Sequence, residues 1–327
     1  MNPVSSRNMR TVTLARNAMA TRFEIVLHGE DEARLRAAGE EALAEVDRIE
    51  AQLSIFRPDS ELARVNAWAA RDPVRVTPSV FRLLEQAGQL HRESGRAFDI
   101  TIAPLMRCWG FMNGGGAMPE MEEVARVRSR VGMEHVLLDP ENYTVRFDGE
   151  GVMLDPGAIG KGYAIDQAAE VLRDAGVTSA LLHGGTSTIY GLGKLPNGEP
   201  WQIAIESPAG APNPWVATVP LEDEALSVSA VWGKFFEHNG KTFGHVIDPR
   251  AGQPVSGAVL SAVILPSATE TDALSTALLV VGLEGHEAIA HLRPGMRTLV
   301  AEPGGGVAHK RIMLKMREDI EKQRKNG

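Results

Sequence analysis

Apolar residues recur along this chain either at every second position or at every third and fourth, which predicts both strands and helices. Helical spacing covers residues 31–53, 79–91, 163–175 and 269–282. Strand-like runs cover residues 21–27, 136–148, 151–155, 179–183, 201–206, 217–221, 225–230 and 259–265. Because the strands come in runs rather than alternating strictly with helices, the pattern predicts an α+β fold with mixed and antiparallel sheets and packed helices.

Residues 155–166, DPGAIGKGYAID, join three glycines and a lysine to the start of a predicted helix. Glycine lets the backbone approach a ligand, lysine supplies a compact positive charge, and the N–H groups at a helix N-terminus favour an anion. The stretch therefore predicts an anion site that includes Lys161. A tight strand-to-helix connection with a surface lysine explains the same residues equally well, because the spacing is neither that of a P-loop nor the Rossmann pattern.

A second candidate site lies in residues 269–282, TETDALSTALLVVG, where Asp272 and Thr276 are four residues apart. That spacing places both side chains on one face of a helix. A carboxylate and a hydroxyl are hard oxygen ligands, which suit Mg²⁺. The alternative is that Asp272 caps the helix and Thr276 bonds to a backbone carbonyl, and the residues alone favour it.

His245 and Asp248 lie in residues 243–255, FGHVIDPRAGQPV, where a predicted strand runs into a proline and glycine turn. The pair suits acid–base chemistry or a phosphate contact. The structural alternative is that Asp248 caps the turn while His245 is hydrogen-bonded at the end of a strand.

These three segments, in this order and spacing, resemble the ApbE family of FAD:protein FMN transferases. The resemblance extends to residues 18–23 (AMATRF), 53–62 (LSIFRPDSEL) and 95–105 (GRAFDITIAPL), and so covers almost the whole chain. It implies an ApbE-like, T-fold-related architecture with FAD in a groove between two closely joined portions. We expect one unit over residues 1–327, with an N-terminal portion at about 12–120, a C-terminal portion at about 121–308 and a charged tail at 309–327.

The resemblance also implies a reaction, in which FMN is moved from FAD to a threonine or serine hydroxyl of a target flavoprotein and AMP is released. It implies Mg²⁺ as the cofactor, with Mn²⁺ as an alternative, and FAD as the substrate. Phosphoryl transfer needs in-line placement and neutralised phosphate oxygens, which a metal ion and a lysine supply. The alternative function is an FAD-binding protein or a slow FAD pyrophosphatase that has lost protein flavinylation.

Carried over position by position, the resemblance assigns three groups of site residues. The metal ligands are Ala158, through its carbonyl, Asp272 and Thr276. The positions around FAD are Met19, Phe56, Ala97, Phe98, Asp99, Asp155, Lys161 and Val255. His245 is the candidate for activating the acceptor hydroxyl or positioning a phosphate, and Asp272 is counted with it as catalytic.

Four positions depart from the family pattern. Ala20 replaces a glycine, and Phe56 replaces a frequent tyrosine, which keeps a ring for stacking but removes a hydroxyl. Thr186 follows a double glycine where an acidic residue is usual, and Ala230 replaces the glycine of a serine–glycine pair. Because the strand with Ala230 approaches the substrate in the family, these changes bear more on the acceptor and on transfer than on FAD binding.

Composition narrows the class of protein. The chain has 327 residues, 43% apolar and 23% charged, which is enough for a substantial core. Its net charge of −8 argues against a nucleic-acid partner, because phosphate backbones attract basic surfaces. The single cysteine, Cys108, excludes an internal disulfide.

The two ends of the chain bear on localisation. Residues 1–17 contain neither a hydrophobic signal core nor a lipid-attachment cysteine, and no segment is predicted to span a membrane. We therefore expect a cytoplasmic protein that meets membranes only through a partner, or a periplasmic one if the sequence is truncated. The mixed charges of residues 310–325 predict a solvated terminal helix.

Overall fold

The computed structural model describes residues 9–112, 114–207, 215–303 and 307–312. The α-helices in these ranges are α1 (Glu32–Leu53), α2 (Glu61–Trp68), α3 (Pro78–Glu93), α4 (Ala103–Cys108), α5 (Met121–Arg128), α6 (Gly160–Asp174) and α7 (Ala268–Ala290). The first strands are β1 (Arg10–Ala18), β2 (Thr21–Gly29), β3 (Val74–Arg75), β4 (Val136–Asp139), β5 (Thr144–Phe147), β6 (Ser179–Gly184), β7 (Thr188–Gly193), β8 (Trp201–Glu206) and β9 (Trp215–Leu221). The later strands are β10 (Glu224–Ala230), β11 (Phe235–His238), β12 (Lys241–Gly244), β13 (Ile247–Asp248), β14 (Gln253–Pro254), β15 (Leu260–Leu265), β16 (Arg297–Ala301) and β17 (Val307–Lys310).

Eight strands form the central sheet, in the order β1-β2-β6-β7-β10-β15-β16-β17. Each neighbouring pair in that order is antiparallel. A three-stranded sheet, β3-β5-β4, and the hairpins β8-β9, β11-β12 and β13-β14 surround it. The α+β prediction is therefore confirmed. Strands from both predicted portions share the central sheet, and the division near residue 120 stays a prediction.

The central sheet is covered on both faces around β15. Val263 and Leu265 belong to the core beneath the helices, where α6 packs on α1 and α7, and α7 packs on β10 and β15. Leu260, Ala262 and Ile264 point the other way, into the core shared with the β8-β9 hairpin. This alternation follows from the two-residue period of a strand, and it explains why all six residues of β15 are buried.

Most predicted elements are present with small shifts in their ends. The helices expected at residues 31–53, 79–91 and 163–175 are α1, α3 and α6. The side chain of Asp31 caps α1 by accepting hydrogen bonds from the N–H groups of Ala33 and Arg34, at 3.0 and 3.1 Å. A capping carboxylate at the first turn explains why the helix begins there.

Two strand predictions were wrong in detail. Residues 136–148 form two strands instead of one, because Asp139 accepts hydrogen bonds from Glu141 and Asn142 and turns the chain between β4 and β5. Residues 151–155 form no strand. The backbone of Leu154 bonds instead to the side chain of Asn66, at 2.8 and 2.9 Å, which satisfies it without a ladder.

The long helix α7 differs from its prediction at its C-terminal end. It was expected to end at Gly282, but helical structure continues to Ala290 after a break at Gly282, whose φ is 63°. By length and composition α7 qualifies as a membrane span, although 61% of its most apolar window is buried inside the protein. Its packing against the central sheet is that of a core helix.

The predicted terminal helix is only partly covered by the described residues. Lys310, where the basic tail was expected to begin as helix, instead ends strand β17, which pairs with β16. Residues 313–327 lie outside the described ranges.

Candidate active site

A cavity of about 640 Å³ opens beside the N-terminal ends of α6 and α7. Nine of the predicted site residues line it: Ala97, Phe98, Asp99, Asp155, Ala158, Lys161, His245, Asp272 and Thr276. These residues come from four separate parts of the chain, and the fold brings them to one place. Their ligand contacts stay predictions, and their shared cavity gives those predictions a common location.

Helices α6 and α7 meet with their first turns in contact. Ile159, the N-cap residue of α6, provides no side-chain hydrogen bond, and the carboxylate of Asp272 accepts one from the Gly162 N–H instead, at 3.0 Å. A Cβ atom added to Gly162 would lie 2.1 Å from the carbonyl oxygen of Ala268. Only glycine fits at this crossing, so Gly162 sets how closely the two helix starts approach.

Lys161 lies between the glycine turn and Asp272. Its Nζ donates to the carbonyl oxygen of Gly157, at 3.1 Å, and lies 3.6 Å from Asp272 Oδ1. The Asp272 residue is only 4% exposed, whereas Lys161 is half-buried. A buried carboxylate needs a nearby donor or cation, and Lys161 and Gly162 supply both. The arrangement leaves the ammonium group at the cavity wall, where a phosphate is able to contact it.

A buried row of hydroxyl groups supports Asp272 from the central sheet. Thr188 Oγ1 donates to Asp272 Oδ1 at 3.4 Å, and Ser227 Oγ donates to Thr188 Oγ1 at 3.2 Å. Ser227 Oγ also lies 2.8 Å from Thr271 Oγ1. Sequence analysis missed this row. Its only signal is the polar residues inside otherwise apolar strands, and their common partner on α7 is visible only in the folded chain.

Thr276 has similar support. Its Oγ1 lies 3.3 Å from the Asp272 carbonyl oxygen and 3.3 Å from Ser229 Oγ. Ser229 Oγ in turn lies 2.8 Å from Ser275 Oγ. Thr276 thus makes the backbone bond of the structural alternative, and it also presents its hydroxyl in the cavity wall. Ser229, which precedes the altered position Ala230, is part of the same wall.

Ala158, Lys161, Asp272 and Thr276 form one corner of the cavity, at the starts of α6 and α7. The glycine turn places Asp155 beside this corner. Asp155 Oδ1 accepts a hydrogen bond from the Gly157 N–H at 2.8 Å, which shapes the turn. Burial raises the pKa of Asp155, while that hydrogen bond and the positive charges of Lys161 and Lys234 act in the opposite direction. Asp155 therefore has a structural role in holding the turn that carries Ala158.

Asp99, another residue of the cavity lining, is anchored by contacts within the protein. Its Oδ1 accepts hydrogen bonds from the N–H and hydroxyl of Thr101, at 2.7 and 2.6 Å. Its Oδ2 lies 3.2 Å from Nδ1 of the buried His91. Because both carboxylate oxygens are engaged, Asp99 holds the shape of the loop that brings Ala97 and Phe98 to the cavity.

A hydrogen bond to the backbone sets the tautomer of His245. Its Nδ1 lies 3.2 Å from the Lys234 carbonyl oxygen, which accepts only, so the proton belongs on Nδ1 and Nε2 keeps a lone pair. Burial lowers the pKa of His245, the hydrogen bond to the Lys234 carbonyl oxygen opposes that shift, and the charges of Lys234 and Lys161 lower the pKa further. A second cavity histidine, His183, also has its pKa lowered by burial. Asp248 is paired with Arg250, so it serves the turn as its structural interpretation predicts.

Three predicted FAD positions lie outside the set that lines this cavity. Met19 is in the β1-β2 turn with a φ of 50°, and its N–H donates to Glu50 Oε1 at 2.6 Å. Phe56 is 73% exposed just after α1. Val255 follows β14 and donates its N–H to the Val246 carbonyl oxygen at 2.9 Å. Contact of these three residues with a flavin stays a prediction.

The hairpin β11-β12 lies between two residues of the cavity lining, Trp232 and His245. Trp232, which precedes the hairpin, lines the cavity and is 43% exposed. The inner rings Phe236 and Phe243 stack at 5.2 Å, and Phe243 stacks on Trp109 at 5.9 Å. The hairpin is therefore attached to the body by aromatic packing, and His245 follows directly after it.

The oxygen atoms available as metal ligands in this cavity suit a hard cation better than a transition metal. Within the described ranges, no three His, Cys, Asp or Glu side chains cluster in a way that could hold a metal ion. The corner instead offers one carboxylate, of Asp272, the hydroxyl of Thr276 and the backbone carbonyl of the glycine turn, all oxygen. Mg²⁺ takes oxygen ligands, keeps several waters and needs few protein groups when a substrate phosphate completes the site.

Comparison with known proteins gives one consistent result. The model of the ApbE family matches residues 19–300. An FAD:protein FMN transferase of Klebsiella pneumoniae is 30% identical over 287 residues, which cover 86% of this chain and 81% of that protein. One of Vibrio cholerae is 32% identical over 256 residues, covering 75% of each chain.

Solved structures agree with these relatives. The flavinyl transferase ApbE of Pseudomonas stutzeri, in its apo form, superposes with a TM-score of 0.81 at 29% identity, covering 92% of this chain and 94% of that one. The ApbE protein of Thermotoga maritima gives a TM-score of 0.84 at 25% identity, covering 92% of this chain and 97% of that one. The similarity therefore spans the central sheet and the helices that carry the candidate site.

Proposed function

Because this chain belongs to the ApbE family, we propose that it is a metal-dependent FAD:protein FMN transferase, which moves FMN from FAD to a threonine or serine hydroxyl of a target flavoprotein and releases AMP. The relatives named FAD:protein FMN transferase support the transferase activity and FAD as its substrate. The metal, the acceptor motif and the release of AMP are proposed from the chemistry of the cavity.

The observation that carries the proposal is the convergence of Lys161, the N-terminus of α6 and Asp272 at one corner of the cavity. A helix N-terminus and a lysine both favour phosphate oxygens. Placed beside a carboxylate and a hydroxyl, they form a site for a diphosphate together with a cation. FAD contains one diphosphate, and it is the part of the molecule that must be cut.

For the metal, we assign the carbonyl of Ala158 and the side chains of Asp272 and Thr276 as ligands, with Mg²⁺ favoured and Mn²⁺ as an alternative. When bound, a divalent cation withdraws charge from the phosphate oxygens and so assists displacement at phosphorus. The protein contributes a carboxylate already oriented by Gly162 and Thr188, so little rearrangement is needed to bind the ion.

His245 is the proposed general base. Its Nε2 lone pair accepts the proton of the target hydroxyl as that oxygen attacks the phosphorus of the FMN half of FAD. The new bond joins the target oxygen to this phosphorus, and the bond from the same phosphorus to the bridging oxygen breaks. AMP leaves with the bridging oxygen, and Lys161 lies where it neutralises the charge that collects on the diphosphate.

The acceptor reaches this site from the open side of the cavity. Trp232, just before the hairpin β11-β12, and His245, just after it, line the cavity there. If water enters in place of the hydroxyl, the same step releases free FMN and AMP. The cavity therefore supports a slow FAD pyrophosphatase activity as the side reaction of a transferase.

The test is product analysis with the purified chain, FAD, Mg²⁺ and a flavoprotein domain that carries one acceptor threonine. Covalent flavin fluorescence on the domain in a denaturing gel, lost when the threonine is replaced by valine and when the metal is chelated, is the expected result. Free FMN without a labelled domain would show that the protein hydrolyses FAD and does not transfer FMN. Bound but intact FAD would reduce the protein to a flavin-binding function.

A further inference from the structure

A second carboxylate, outside the cavity lining, links the same two helices. Asp166 lies on α6 and accepts four hydrogen bonds from the start of α7. Its Oδ1 accepts from the Ala268 N–H at 2.7 Å. Its Oδ2 accepts from the Ser267 hydroxyl at 2.9 Å and from the N–H and hydroxyl of Thr269, at 2.9 and 2.6 Å.

The contact is reciprocal. Asp272 of α7 accepts the Gly162 N–H at the start of α6, and Asp166 of α6 accepts the first N–H groups of α7. Each helix N-terminus therefore receives a carboxylate from the other helix, where unpaired N–H groups favour negative charge. These two carboxylate contacts fix both the separation and the rotation of the helix pair.

Capping alone does not account for Asp166. The N-cap residue of α7, Ser267, already accepts a hydrogen bond from the Glu270 N–H at 3.2 Å, so α7 has a local cap. Asp166 adds bonds to the N–H groups of Ala268 and Thr269, which precede Asp272 by one turn or less. Its effect is thus to hold the first turn of α7 against α6.

We propose that Asp166 is a positioning residue for the metal- and phosphate-binding corner. By holding the start of α7, it places Asp272 and Thr276 opposite Lys161 and the carbonyl of Ala158. Asp166 itself does not touch the ligands. The inference rests on the proposed function for the identity of those ligands, but the helix contact that it explains is independent of the reaction.

The test compares Asp166→Asn with the unaltered chain. Asparagine keeps the size of the side chain, but its NH₂ group faces donors in place of one carboxylate oxygen. We expect Mn²⁺, measured by the loss of the free-ion electron paramagnetic resonance signal in the presence of FAD, to bind about tenfold more weakly, as for other residues that orient metal ligands. FAD affinity, measured by flavin fluorescence, is expected to fall severalfold.

Two further variants separate positioning from general stability. Asp31→Ala removes the side-chain cap of α1, outside the cavity lining, and is expected to lower Tm with unchanged Mn²⁺ and FAD affinities. Thr269→Val removes one hydroxyl bond to Asp166, keeps the carboxylate, and is expected to weaken Mn²⁺ in the same direction by a smaller factor. It serves as the test if Asp166→Asn does not fold.

The inference is overturned if Asp166→Asn and Thr269→Val lower Tm as Asp31→Ala does while both ligands bind as tightly as in the unaltered chain. Failure of the proposed function has a different signature. An unaltered chain that binds FAD but not Mn²⁺ would refute the metal assignment, and Asp166 would then be judged by FAD affinity. An unaltered chain that binds both without transferring FMN would refute the transferase reaction alone.

Discussion

The corner where α6 and α7 meet differs in character from the hairpin β11-β12, whose flanking residues Trp232 and His245 line the same cavity. At the corner, Asp272 is 4% exposed and contacts Gly162, Lys161 and Thr188. On the hairpin, Phe235 is 51% exposed, and within the described ranges β11 and β12 pair only with each other. The corner is organised before any ligand arrives, whereas the hairpin exposes apolar surface that a partner is able to cover.

This difference matches the two substrates of the proposed reaction. FAD has one fixed diphosphate, and preorganised donors and charges stabilise a transition state without further rearrangement. The acceptor is a segment of another protein, which has to enter and leave. The cavity is open beside His245, which lets an acceptor segment enter and leave. Changes at the corner should therefore affect stability and ligand binding, and changes at His245 should affect transfer alone.

The largest effect is expected for Gly162→Ala. The added Cβ would lie 2.1 Å from the Ala268 carbonyl oxygen, so the helices must separate, at a cost of about 2 to 3 kcal/mol in the free energy of unfolding and with loss of FAD binding. The measurement is urea unfolding together with flavin fluorescence. Gly160→Ala is the matched control, because its Cβ would meet nothing closer than 3.7 Å. Equal stability of the two variants would contradict a tight crossing at Gly162.

His245→Gln is the variant that most clearly separates FMN transfer from FAD binding at the corner. Loss of a general base lowers the transfer rate by about 10² to 10⁴, and FAD affinity is expected to stay unchanged because the corner is intact. Single-turnover transfer and FAD titration measure the two quantities. A variant that loses FAD affinity but transfers bound FMN at the normal rate would assign His245 to binding instead.

A smaller effect is expected for Lys161→Met, which removes the cation of the corner and keeps much of its length. The loss of one charged contact to phosphate weakens FAD by about tenfold in Kd. Lys194→Met, which breaks a surface pair with Glu222, is the control and is expected to leave Kd unchanged. An unaltered Kd in Lys161→Met would remove Lys161 from the phosphate site.

The smallest expected effect concerns the pH dependence of transfer. Burial and the charges of Lys234 and Lys161 lower the pKa of His245 by more than its hydrogen bond to the Lys234 carbonyl oxygen raises it, so the neutral base persists as the pH falls through the ordinary histidine value of about 6.5. The acid limb of kcat/KM is therefore expected below pH 6.5. A limb at or above that value would contradict the assignment. His183→Asn is the control and is expected to leave the limb in place.

The sequence predicted local features of the corner better than their assembly. Lys161, Asp272 and Thr276 were identified because spacing and family motifs mark them, and α6 and α7 were expected close to their observed starts. Asp166 and Thr188 were not identified, because the groups that they contact on α7 lie 102 and 84 residues away. Periodicity reports which face of a helix is apolar, but not which helix start lies against another.

The hairpin β11-β12 is a second feature that the sequence predicted poorly, for a different reason. Residues 235–244 carry no strong alternation, so β11 was not predicted, and β12 was predicted only as the end of a strand before the turn of residues 243–255. Phe243 stacks on Trp109 and Phe236 meets the same ring at a tilted angle, contacts made across more than a hundred residues. Similarly, the strand expected at residues 151–155 fails because Asn66 satisfies the Leu154 backbone from a distant helix.

The central claim is that the oxygens of Ala158, Asp272 and Thr276 share one divalent cation against the diphosphate of FAD. Anomalous diffraction from a crystal soaked with FAD and Mn²⁺ tests it most directly. The account predicts one strong peak at about 2.1 to 2.3 Å from all three oxygens and next to the diphosphate. A peak held by other residues, or FAD bound in the cavity with those three oxygens sharing no ion, would contradict it.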